Sequence, residues 1–282
     1  MGPAQEDNII CIAGKNDVAC NSLAFLVEKG LVPKNNILVL PNPGKQLAIQ
    51  GMKSLRDTAE KLGVKVVSDL ADIYEIDNLI FFSLEFSKII NTLRFSTTEL
   101  FNIHFSKLPQ YKGMYTSVWP ILNGEKATGV TLHRIDDGID TGDIVDQHEF
   151  PIELADTCRD LYFKYNRFGF ELFKANISNI IKRRYEVRPQ SRYGSSYYSK
   201  TSISYANIKI DLAKTAFEVH NQIRAFIFPE FQLPKLFGFS VIKSEIINRR
   251  STLKPGSIVE DDSNYLVIST IDYNVKIYKQ VT

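Results

Sequence analysis

The amino-acid sequence predicts an α/β protein with a mostly parallel sheet, followed by a small β-rich domain. In the first half, short apolar strands alternate with amphipathic helices, as is typical of a parallel sheet that helices cover on both faces. Beyond residue 205 one helical pattern precedes alternating short strands. The length of 282 residues also accommodates one large domain and one smaller domain.

The first elements follow from local patterns. An apolar strand is predicted at residues 8–13 and ends at Gly14. A helix then runs from Asp17, a candidate N-cap, to Gly30, which stops it. The remaining elements of the first half are predicted in this order: a strand at 36–40, a Pro/Gly turn at 41–44, a helix at 46–62 and strands at 64–67 and 79–83.

The middle of the chain continues this pattern. Strands are predicted at 100–106, 128–135 and 144–150, and a long helix at 157–181 is supported by an apolar stripe. The predicted organisation is residues 1–7 as a leader or an expression remnant, 8–189 as the large domain, 190–204 as a linker rich in Ser, Tyr, Gly and Arg, and 205–282 as the small domain.

Composition excludes several classes of function. Net charge is +2, which gives no strong attraction to nucleic acid or to an anionic membrane surface. The longest apolar runs, such as residues 78–84, are too short to span a bilayer, and no secretory signal is expected. Cys11, Cys20 and Cys158 are interpreted as reduced thiols of a cytoplasmic protein, with neither a disulfide framework nor a zinc site.

The turn after the first strand is a candidate ligand crevice. Gly14, Lys15 and Asn16 lie between a strand and a helix N-terminus, where N–H groups face an anion in doubly wound sheets. The glycines of a dinucleotide fingerprint are missing, and no Walker sequence follows. A nicotinamide enzyme is therefore not predicted. Lys15 is either a phosphate ligand or a solvated loop lysine.

Asn102 and His104 are candidate catalytic residues. Side chains two apart on a strand share a face, so an amide and an imidazole project to the same side. Together they supply a donor for an oxyanion and an acceptor for a proton. The alternative is a hydrogen-bonded core histidine beside a turn-forming asparagine.

An acidic loop follows the next strand. Residues 136–143 read Asp-Asp-Gly-Ile-Asp-Thr-Gly-Asp. The spacing does not fit an EF-hand, although another calcium site or a solvated acidic turn remains open. In the third interpretation, a carboxylate of this loop holds and charge-stabilises a histidine.

Taken in order, these motifs closely resemble the formyltransferase family. The matching run is unbroken from Phe101 to Val145: Asn-x-His, then Leu-Pro-x-Tyr-Lys-Gly, then Asp-x-Gly-x-Asp-Thr-Gly-Asp. The resemblance implies a Rossmann-like formyltransferase domain, an OB-like C-terminal domain, and Asn102, His104 and Asp140 as the catalytic residues. It also implies 10-formyltetrahydrofolate as the donor and no metal.

The variant motifs resemble the sugar N-formyltransferases in particular. Phe105 follows the histidine where many relatives have proline. Residues 11–16, 82–86 and 111–116 also look like the corresponding segments of the sugar N-formyltransferases. The resemblance implies a nucleotide-linked amino-dideoxysugar as acceptor, with dTDP-4-amino-4,6-dideoxyglucose favoured over a 3-amino isomer. It further implies a role in O-antigen or other surface polysaccharide synthesis, and a homodimer.

Binding residues are predicted on the same basis. The folate is expected at Phe82, Ser83, Leu84, Glu85 and Phe86, and at Asp136, Asp137, Gly138 and Ile139, where Asp136 and Asp137 have a structural role as the alternative. The sugar nucleotide is expected at Gly14, Lys15, Asn16, Met114, Tyr115, Thr116, Arg224, Phe226, Phe228 and Phe231. Arg224 is the candidate phosphate ligand, and an aromatic ring is expected on the base. The alternative is that these aromatic residues form the core of the small domain.

The implied mechanism gives each catalytic residue one role. His104 accepts a proton from the attacking amine, Asn102 and protonated His104 donate to the oxyanion, and Asp140 orients the imidazole. Three rival functions stay open: methionyl-tRNA formyltransferase, a non-catalytic sugar-nucleotide-binding module and a calcium-dependent protein. A tRNA enzyme calls for a basic face, and only short basic clusters occur, at residues 182–184 and 249–250.

Overall fold

A computed structural model describes residues 8–44 and 49–280. These residues form two compact units. The first comprises the described residues through Gly113, then Gly129–Glu149 and Lys164–Tyr197. The second comprises Met114–Thr128, Phe150–Phe163 and the described residues from Tyr198 onward.

Strands and helices are numbered in chain order. The strands are β1 Ile9–Gly14, β2 Ile37–Pro41, β3 Lys65–Val66, β4 Leu79–Leu84, β5 Leu100–His104, β6 Lys112–Gly113, β7 Ala127–Arg134, β8 Ile144–Pro151, β9 Tyr197–Tyr198, β10 Lys235–Leu236, β11 Phe239–Arg250, β12 Ile258–Asp261, β13 Tyr265–Ile268 and β14 Tyr273–Lys279. The helices are α1 Asn16–Lys29, α2 Leu55–Leu62, α3 Trp119–Leu122, α4 Cys158–Ile181 and α5 Ala216–Arg224.

A seven-stranded sheet in the order β3-β2-β1-β4-β5-β7-β8 carries the first unit. The first five strands in this order, β3 to β5, pair in parallel with one another, and β7 pairs antiparallel with β5. The strands β1, β2 and β4 are apolar and almost wholly buried, because such a sheet is covered on both faces. The predicted α/β class is confirmed.

The first helix differs from its prediction at the N-terminus. Helix α1 starts at Asn16 and ends at Gly30, whose φ of 58° is left-handed. Its N-cap position is Lys15, not Asp17, and no side chain caps it. The Asp17 carboxylate instead accepts the backbone N–H of Lys53 at 2.9 Å. Asp17, which the local pattern predicts as the N-cap, therefore makes a tertiary contact with Lys53 instead.

The second helix is shorter than predicted. Helix α2 begins at Leu55, so residues 49–54 are not helical, and residues 46–48 lie outside the described chain. Ser54 is the N-cap and accepts the N–H of Asp57 at 3.3 Å. Gly51, at φ 88°, lies in the left-handed region that a helix interior does not use. The helix therefore starts at a local cap signal.

The second unit contains a five-stranded sheet in the order β10-β11-β14-β13-β12. All of its pairs are antiparallel. Helix α5 starts at a capping box between Thr215 and Glu218, and its apolar face packs on the sheet. The shared core consists of Ala216, Val219, Ile223, Ile227, Val241, Leu266, Ile268, Val275 and Ile277. The predicted β-rich C-terminal domain is confirmed.

Candidate active site

Strand β5 presents an amide and an imidazole at its carboxyl end. Its residues alternate across the sheet, so Asn102 and His104 share one face with Leu100. Parallel pairing with β4 on one side and antiparallel pairing with β7 on the other fix the strand. His104 is 8% exposed, and Asn102 is partly buried. The predicted projection of both side chains to one side therefore matches the observed strand.

The acidic loop brings Asp140 to the same place. Asp140 has a φ of 55°, an uncommon conformation for a non-glycine residue. The side-chain amide of Gln190 holds this backbone by donating to the carbonyls of Asp140 at 2.9 Å and Gly142 at 2.8 Å. The carboxylate is 13% exposed and points to β5.

The two oxygens of Asp140 have different partners. Oδ1 accepts Nδ2 of Asn102 at 3.3 Å and lies 3.6 Å from Nε2 of His133. Oδ2 accepts the backbone N–H of Gly113 at 2.9 Å and lies 3.4 Å from Nδ1 of His104. The structure therefore brings together the three residues that the sequence singled out, 38 positions apart at most.

The charge of Asp140 is stabilised where burial opposes it. Burial alone would raise the pKa of this carboxyl group, but the neighbouring imidazoles of His104 and His133 and the Gly113 N–H lower the pKa well below its usual range. Asp140 is therefore a carboxylate near neutral pH. It can hold and charge-stabilise an imidazole, and it cannot act as a proton donor near neutrality.

The ring of His104 is held on both sides. Nε2 lies 2.8 Å from the carbonyl oxygen of Tyr111 and donates to it, because a carbonyl only accepts. Nδ1 faces Asp140. Nε2 can therefore accept a proton from a substrate amine only after the Tyr111 carbonyl is displaced and the proton of the neutral ring lies on Nδ1, facing Asp140.

His133 is a fourth member of this cluster, and the sequence reasoning missed it. It lies on β7, is 2% exposed, and its Nε2 is 3.0 Å from Nδ2 of Asn102. A histidine in the strand predicted at 128–135 was the available signal in the sequence. The sequence does not reveal that Asn102 is its partner, because this follows from the register of β7 against β5, which places Asn102 opposite His133.

A cavity of about 470 Å³ lies in the first unit. Its lining includes Thr92, Leu93, Leu100, Arg134 and Ile135. Leu100, which lies two residues before Asn102 on the same face of β5, is the lining residue that shares this strand with the polar cluster. Leu93 is 86% exposed, an unusual position for a large apolar side chain beside a cavity.

The predicted folate residues fall into two groups. Phe82, Ser83 and Leu84 lie in β4 and are buried, with Phe82 stacked on Phe101 at 5.4 Å, so these side chains belong to the core. Glu85 and Phe86 follow the strand and are partly exposed. The core positions are not available as side-chain ligands.

The second predicted folate segment is an exposed turn. Asp136 accepts the N–H of Gly138 at 3.1 Å and the hydroxyl of Thr141 at 2.7 Å, so it shapes the turn. Asp137 accepts the hydroxyl of Thr92 at 2.6 Å. Ile139 is 43% exposed. The bond from Asp137 ties this turn to the lining of the cavity.

The loop after β1 is shaped by backbone contacts. A Cβ atom on Gly14 would lie 1.8 Å from the carbonyl oxygen of Leu84, so only glycine fits. Asn16 has a φ of 57° and donates to the Glu85 carboxylate at 3.3 Å. Lys15 is partly buried, and its backbone N–H donates to Leu84 at 3.2 Å. These contacts place the loop at the carboxyl edge of the sheet.

Residues predicted to face the sugar open the second unit. Met114 is 45% exposed, and Tyr115 and Thr116 are partly buried. The Tyr115 hydroxyl donates to the carbonyl of Lys200 at 2.9 Å. Met114 directly follows Gly113, whose N–H contacts Asp140.

Arg224 does not have the predicted environment of a phosphate ligand. It is 3% exposed and donates to Asn221 at 2.9 Å and to the carbonyls of Glu153 at 3.1 Å and Asp156 at 2.6 Å. Burial lowers the pKa of its guanidinium to about 10, although Asp156 opposes this shift. Arg224 therefore links helix α5 to residues 153–156 within the second unit, and the predicted phosphate contact is without support.

The predicted aromatic residues also separate. Phe226 and Phe228 are buried, which favours the alternative that they form core. Phe231 is 51% exposed and meets Phe228 edge-on at 4.6 Å. Its turn is anchored by Glu230, which accepts Nε of Arg159 at 3.0 Å and Nη2 at 2.8 Å. Among these residues, Phe231 alone presents most of its ring to a ligand.

Three further features bear on alternatives. Cys11, Cys20 and Cys158 are buried free thiols. Across residues 8–44 and 49–280, no group of three or more His, Cys, Asp or Glu side chains is arranged to hold a metal ion. Within the same ranges, none of the helices combines the length and apolar character needed to traverse a bilayer.

Two family profiles and a curated relative match this chain. The profile described as formyl transferase matches residues 56–177, and that described as formyl transferase, C-terminal domain, matches residues 202–281. The chain is 28% identical over 285 residues to methionyl-tRNA formyltransferase from Fervidobacterium nodosum, covering 93% of this chain and 87% of the relative.

Two solved structures are much more similar. One is WlaRD, a sugar 3N-formyl transferase crystallised in the presence of dTDP and 5-N-formyl-THF: identity is 47%, 98% of each chain is covered and the TM-score is 0.91. The other is the N-formyltransferase from Helicobacter canadensis in complex with folinic acid and dTDP-3-aminofucose: identity is 44%, 97% of this chain and 100% of that chain are covered, and the TM-score is 0.90. With these similarities over almost its full length, the chain belongs to the formyl transferase family of enzymes.

Proposed function

We propose that this enzyme transfers a formyl group from 10-formyltetrahydrofolate to the amine of a dTDP-linked amino-dideoxysugar. The observation that carries the proposal is the cluster of Asn102, His104 and Asp140, in which the carboxylate accepts a hydrogen bond from the amide and lies 3.4 Å from the imidazole. The two most similar structures reported above contain dTDP or a dTDP-sugar together with a formylated folate. Methionyl-tRNA formyltransferase, at 28% identity, supports the chemistry but less strongly the acceptor.

The 3-amino isomer is our preferred acceptor. The sequence favoured dTDP-4-amino-4,6-dideoxyglucose, with the 3-amino sugar as its competitor. Identities of 47% and 44% to a sugar 3N-formyl transferase and to an enzyme with bound dTDP-3-aminofucose support the competitor. The 4-amino sugar stays in the test as the direct alternative.

The mechanism assigns each residue a step. His104 accepts the proton that the amine loses as its nitrogen bonds to the formyl carbon, and it returns a proton to the folate nitrogen as the old C–N bond breaks. Asn102 and protonated His104 donate to the oxyanion that forms in between. Asp140 keeps the imidazole oriented and stabilises its positive charge.

The cavity is the proposed site of the fused ring of the donor. Leu93, Leu100 and Ile135 offer an apolar lining, and Thr92 and Arg134 add polar groups at its edge. The turn at 136–139 is joined to this lining through Asp137 and Thr92, which supports a binding role for its backbone. The proposed folate site therefore shifts from the β4 side chains to this cavity and turn.

Four residues of the second unit, Met114, Tyr115, Thr116 and Phe231, are proposed to bind the acceptor. Met114, Tyr115 and Thr116 directly follow the Gly113 that contacts Asp140, which supports a position near the sugar. Phe231 is the proposed stacking partner of the base, because its exposed ring sits on an anchored turn. Gly14, Lys15 and Asn16 remain proposed as part of the crevice, and Arg224 does not.

A panel assay tests the substrate class. Purified protein is given 10-formyltetrahydrofolate with dTDP-linked 3-amino and 4-amino sugars, the matching UDP-sugars and methionyl-tRNA, and kcat/KM is compared. We expect the dTDP-3-amino sugar to give the highest value. A higher value for the 4-amino sugar would correct the isomer, and a higher value for the tRNA would refute the acceptor class.

Cellular role and assembly are proposed on the resemblance. We place the enzyme in the cytoplasm, as a homodimer that supplies formylated sugars for O-antigen or other surface polysaccharide. The free thiols are consistent with a reducing compartment. Light scattering of the purified protein gives the oligomeric state, and a monomer at micromolar concentration would contradict the dimer.

A further inference from the structure

His133 and Asn102 are direct cross-strand partners. Strands β5 and β7 pair antiparallel with Asn102 opposite His133, so the two side chains lie next to each other on one face. Nε2 of His133 is 3.0 Å from Nδ2 of Asn102, and the imidazole is 2% exposed. This contact is shorter than the 3.3 Å contact from the same amide to Asp140.

The backbone carbonyl of Arg134 determines whether Asn102 or His133 donates in this contact. Nδ1 of His133 lies 2.7 Å from the carbonyl oxygen of Arg134, which can only accept, so Nδ1 carries the proton. In the neutral ring Nε2 is then an acceptor, and Asn102 must turn its nitrogen toward it. The carboxylate of Asp140 requires the same orientation, because it too can only accept.

This orientation matters for the proposed reaction. An amide stabilises an oxyanion through its N–H groups, whereas its oxygen would repel the developing charge. The terminal torsion of asparagine is broad, so the amide needs an anchor. With His133 absent, the longer bond to Asp140 is the remaining anchor that the network shows.

We propose that His133 is a positioning residue for formyl transfer: it keeps one of the two N–H groups of the Asn102 amide, so that the other, held by the longer contact to Asp140 in the resting enzyme, can turn to the reacting oxygen. The inference rests on the proposed function for its kinetic part only. Its structural part concerns the resting enzyme and needs no substrate.

Three variants distinguish the contributions of the two ring nitrogens of His133. His133→Gln keeps an acceptor near the position of Nε2, whereas His133→Asn keeps only a polar group near the position of Nδ1. His133→Leu removes both. We expect His133→Gln to retain kcat within about fivefold, and His133→Asn and His133→Leu to lose roughly tenfold to a hundredfold, since small misplacements of a reacting group cost this much. KM for both substrates should change little.

The resting enzyme provides the second readout. We expect the side-chain amide protons of Asn102, followed by NMR in protein labelled at asparagine, to be protected from exchange in the wild type and in His133→Gln. They should be exposed to exchange in His133→Asn. Melting temperatures that agree between the Gln and Asn variants exclude a general loss of structure.

The outcomes distinguish the two proposals. A wild-type enzyme that formylates none of the amino sugars refutes the proposed function, while the amide measurement still tests the contact. Equal kcat in His133→Gln and His133→Asn, with equally protected amides, would overturn the positioning role. So would a histidine nitrogen spectrum in which Nε2 of His133 carries the proton.

Discussion

The Nδ1 atom of His104 lies 3.4 Å from the Asp140 carboxylate, while Nε2 of the same ring lies 2.8 Å from the carbonyl oxygen of Tyr111. Both ring nitrogens therefore face oxygen acceptors, and a ring that has taken up a proton can donate to both. Asp140 places a buried negative charge beside this ring.

Removing that charge should slow catalysis. For Asp140→Asn we expect kcat to fall roughly a hundredfold or more, because the imidazole loses its charged partner. Initial rates with the preferred sugar measure the loss. Asp143→Asn in the same loop is the matched control, since Asp143 pairs with Arg134 through its backbone carbonyl, and it should stay within about twofold. Unchanged turnover in Asp140→Asn would contradict the assignment.

A charge at the rim of the cavity should weaken donor binding. Leu93 is 86% exposed, so Leu93→Asp should leave folding intact and raise KM for 10-formyltetrahydrofolate roughly tenfold by placing a carboxylate beside an apolar ring. Steady-state kinetics with the donor varied measure this change. Ile271→Asp, at a residue that is 59% exposed in the second unit, is the control. Equal KM in both variants would remove the cavity from the proposed site.

Two glycines of the first unit should respond differently to the same change. A Cβ at Gly14 meets the Leu84 carbonyl at 1.8 Å, so Gly14→Ala should destabilise the fold by more than about 2 kcal/mol or prevent folding. Gly30, at φ 58°, has open space around it, and Gly30→Ala should cost only about 1 kcal/mol. Urea unfolding gives both values. Similar losses at the two positions would contradict the clash.

Stability should fall in mild acid because of His220. Its Nδ1 is 2.8 Å from the Ser244 hydroxyl and its Nε2 is 2.9 Å from the Leu154 carbonyl. Burial, with Arg224 adding to it, lowers its pKa below the ordinary 6.5, although the Leu154 carbonyl and Glu245 oppose the shift. A lowered pKa in the fold means that the contribution to stability is complete above pH 6.5 and is lost as pH falls through the lower value.

Urea midpoints between pH 8 and pH 5 measure this effect. The wild type should lose stability below about pH 6.5, and His220→Gln, which takes up no proton there, should show a flatter profile. Because the substitution also changes the midpoint at pH 8, the dependence of the midpoint on pH is the quantity compared. Parallel profiles would show that other groups dominate.

Local patterns predicted each strand of the seven-stranded sheet, and the resemblance of the ordered motifs predicted Asn102, His104 and Asp140 as one site. Residues of β5 alternate visibly, and the loop with Asp140 follows as one short motif. The start of α2 also has a local signal, because the Ser54 side chain caps the helix by accepting the N–H of Asp57. The apolar pattern over 46–62 nevertheless led to a prediction that begins too early.

Long-range packing explains what the sequence did not reveal. The antiparallel direction of β7, and hence the pairing of His133 with Asn102, depends on sheet topology and not on any property of the strand itself. Arg224 follows the same rule. Its neighbours Glu153 and Asp156 are about 70 residues away in the chain, at separations of 71 and 68, so its burial could not be read from the helix that carries it.

The antiparallel pairing of β5 and β7 also limits how this enzyme can tolerate insertions and deletions. Adding one residue between Ala127 and His133 would exchange the two faces of that stretch and bring an apolar neighbour such as Leu132 opposite the amide. A β-bulge or a change of two residues would be needed to keep polar side chains on the correct face. Chain-length variation in this protein should therefore be tolerated at exposed turns and rejected within β7.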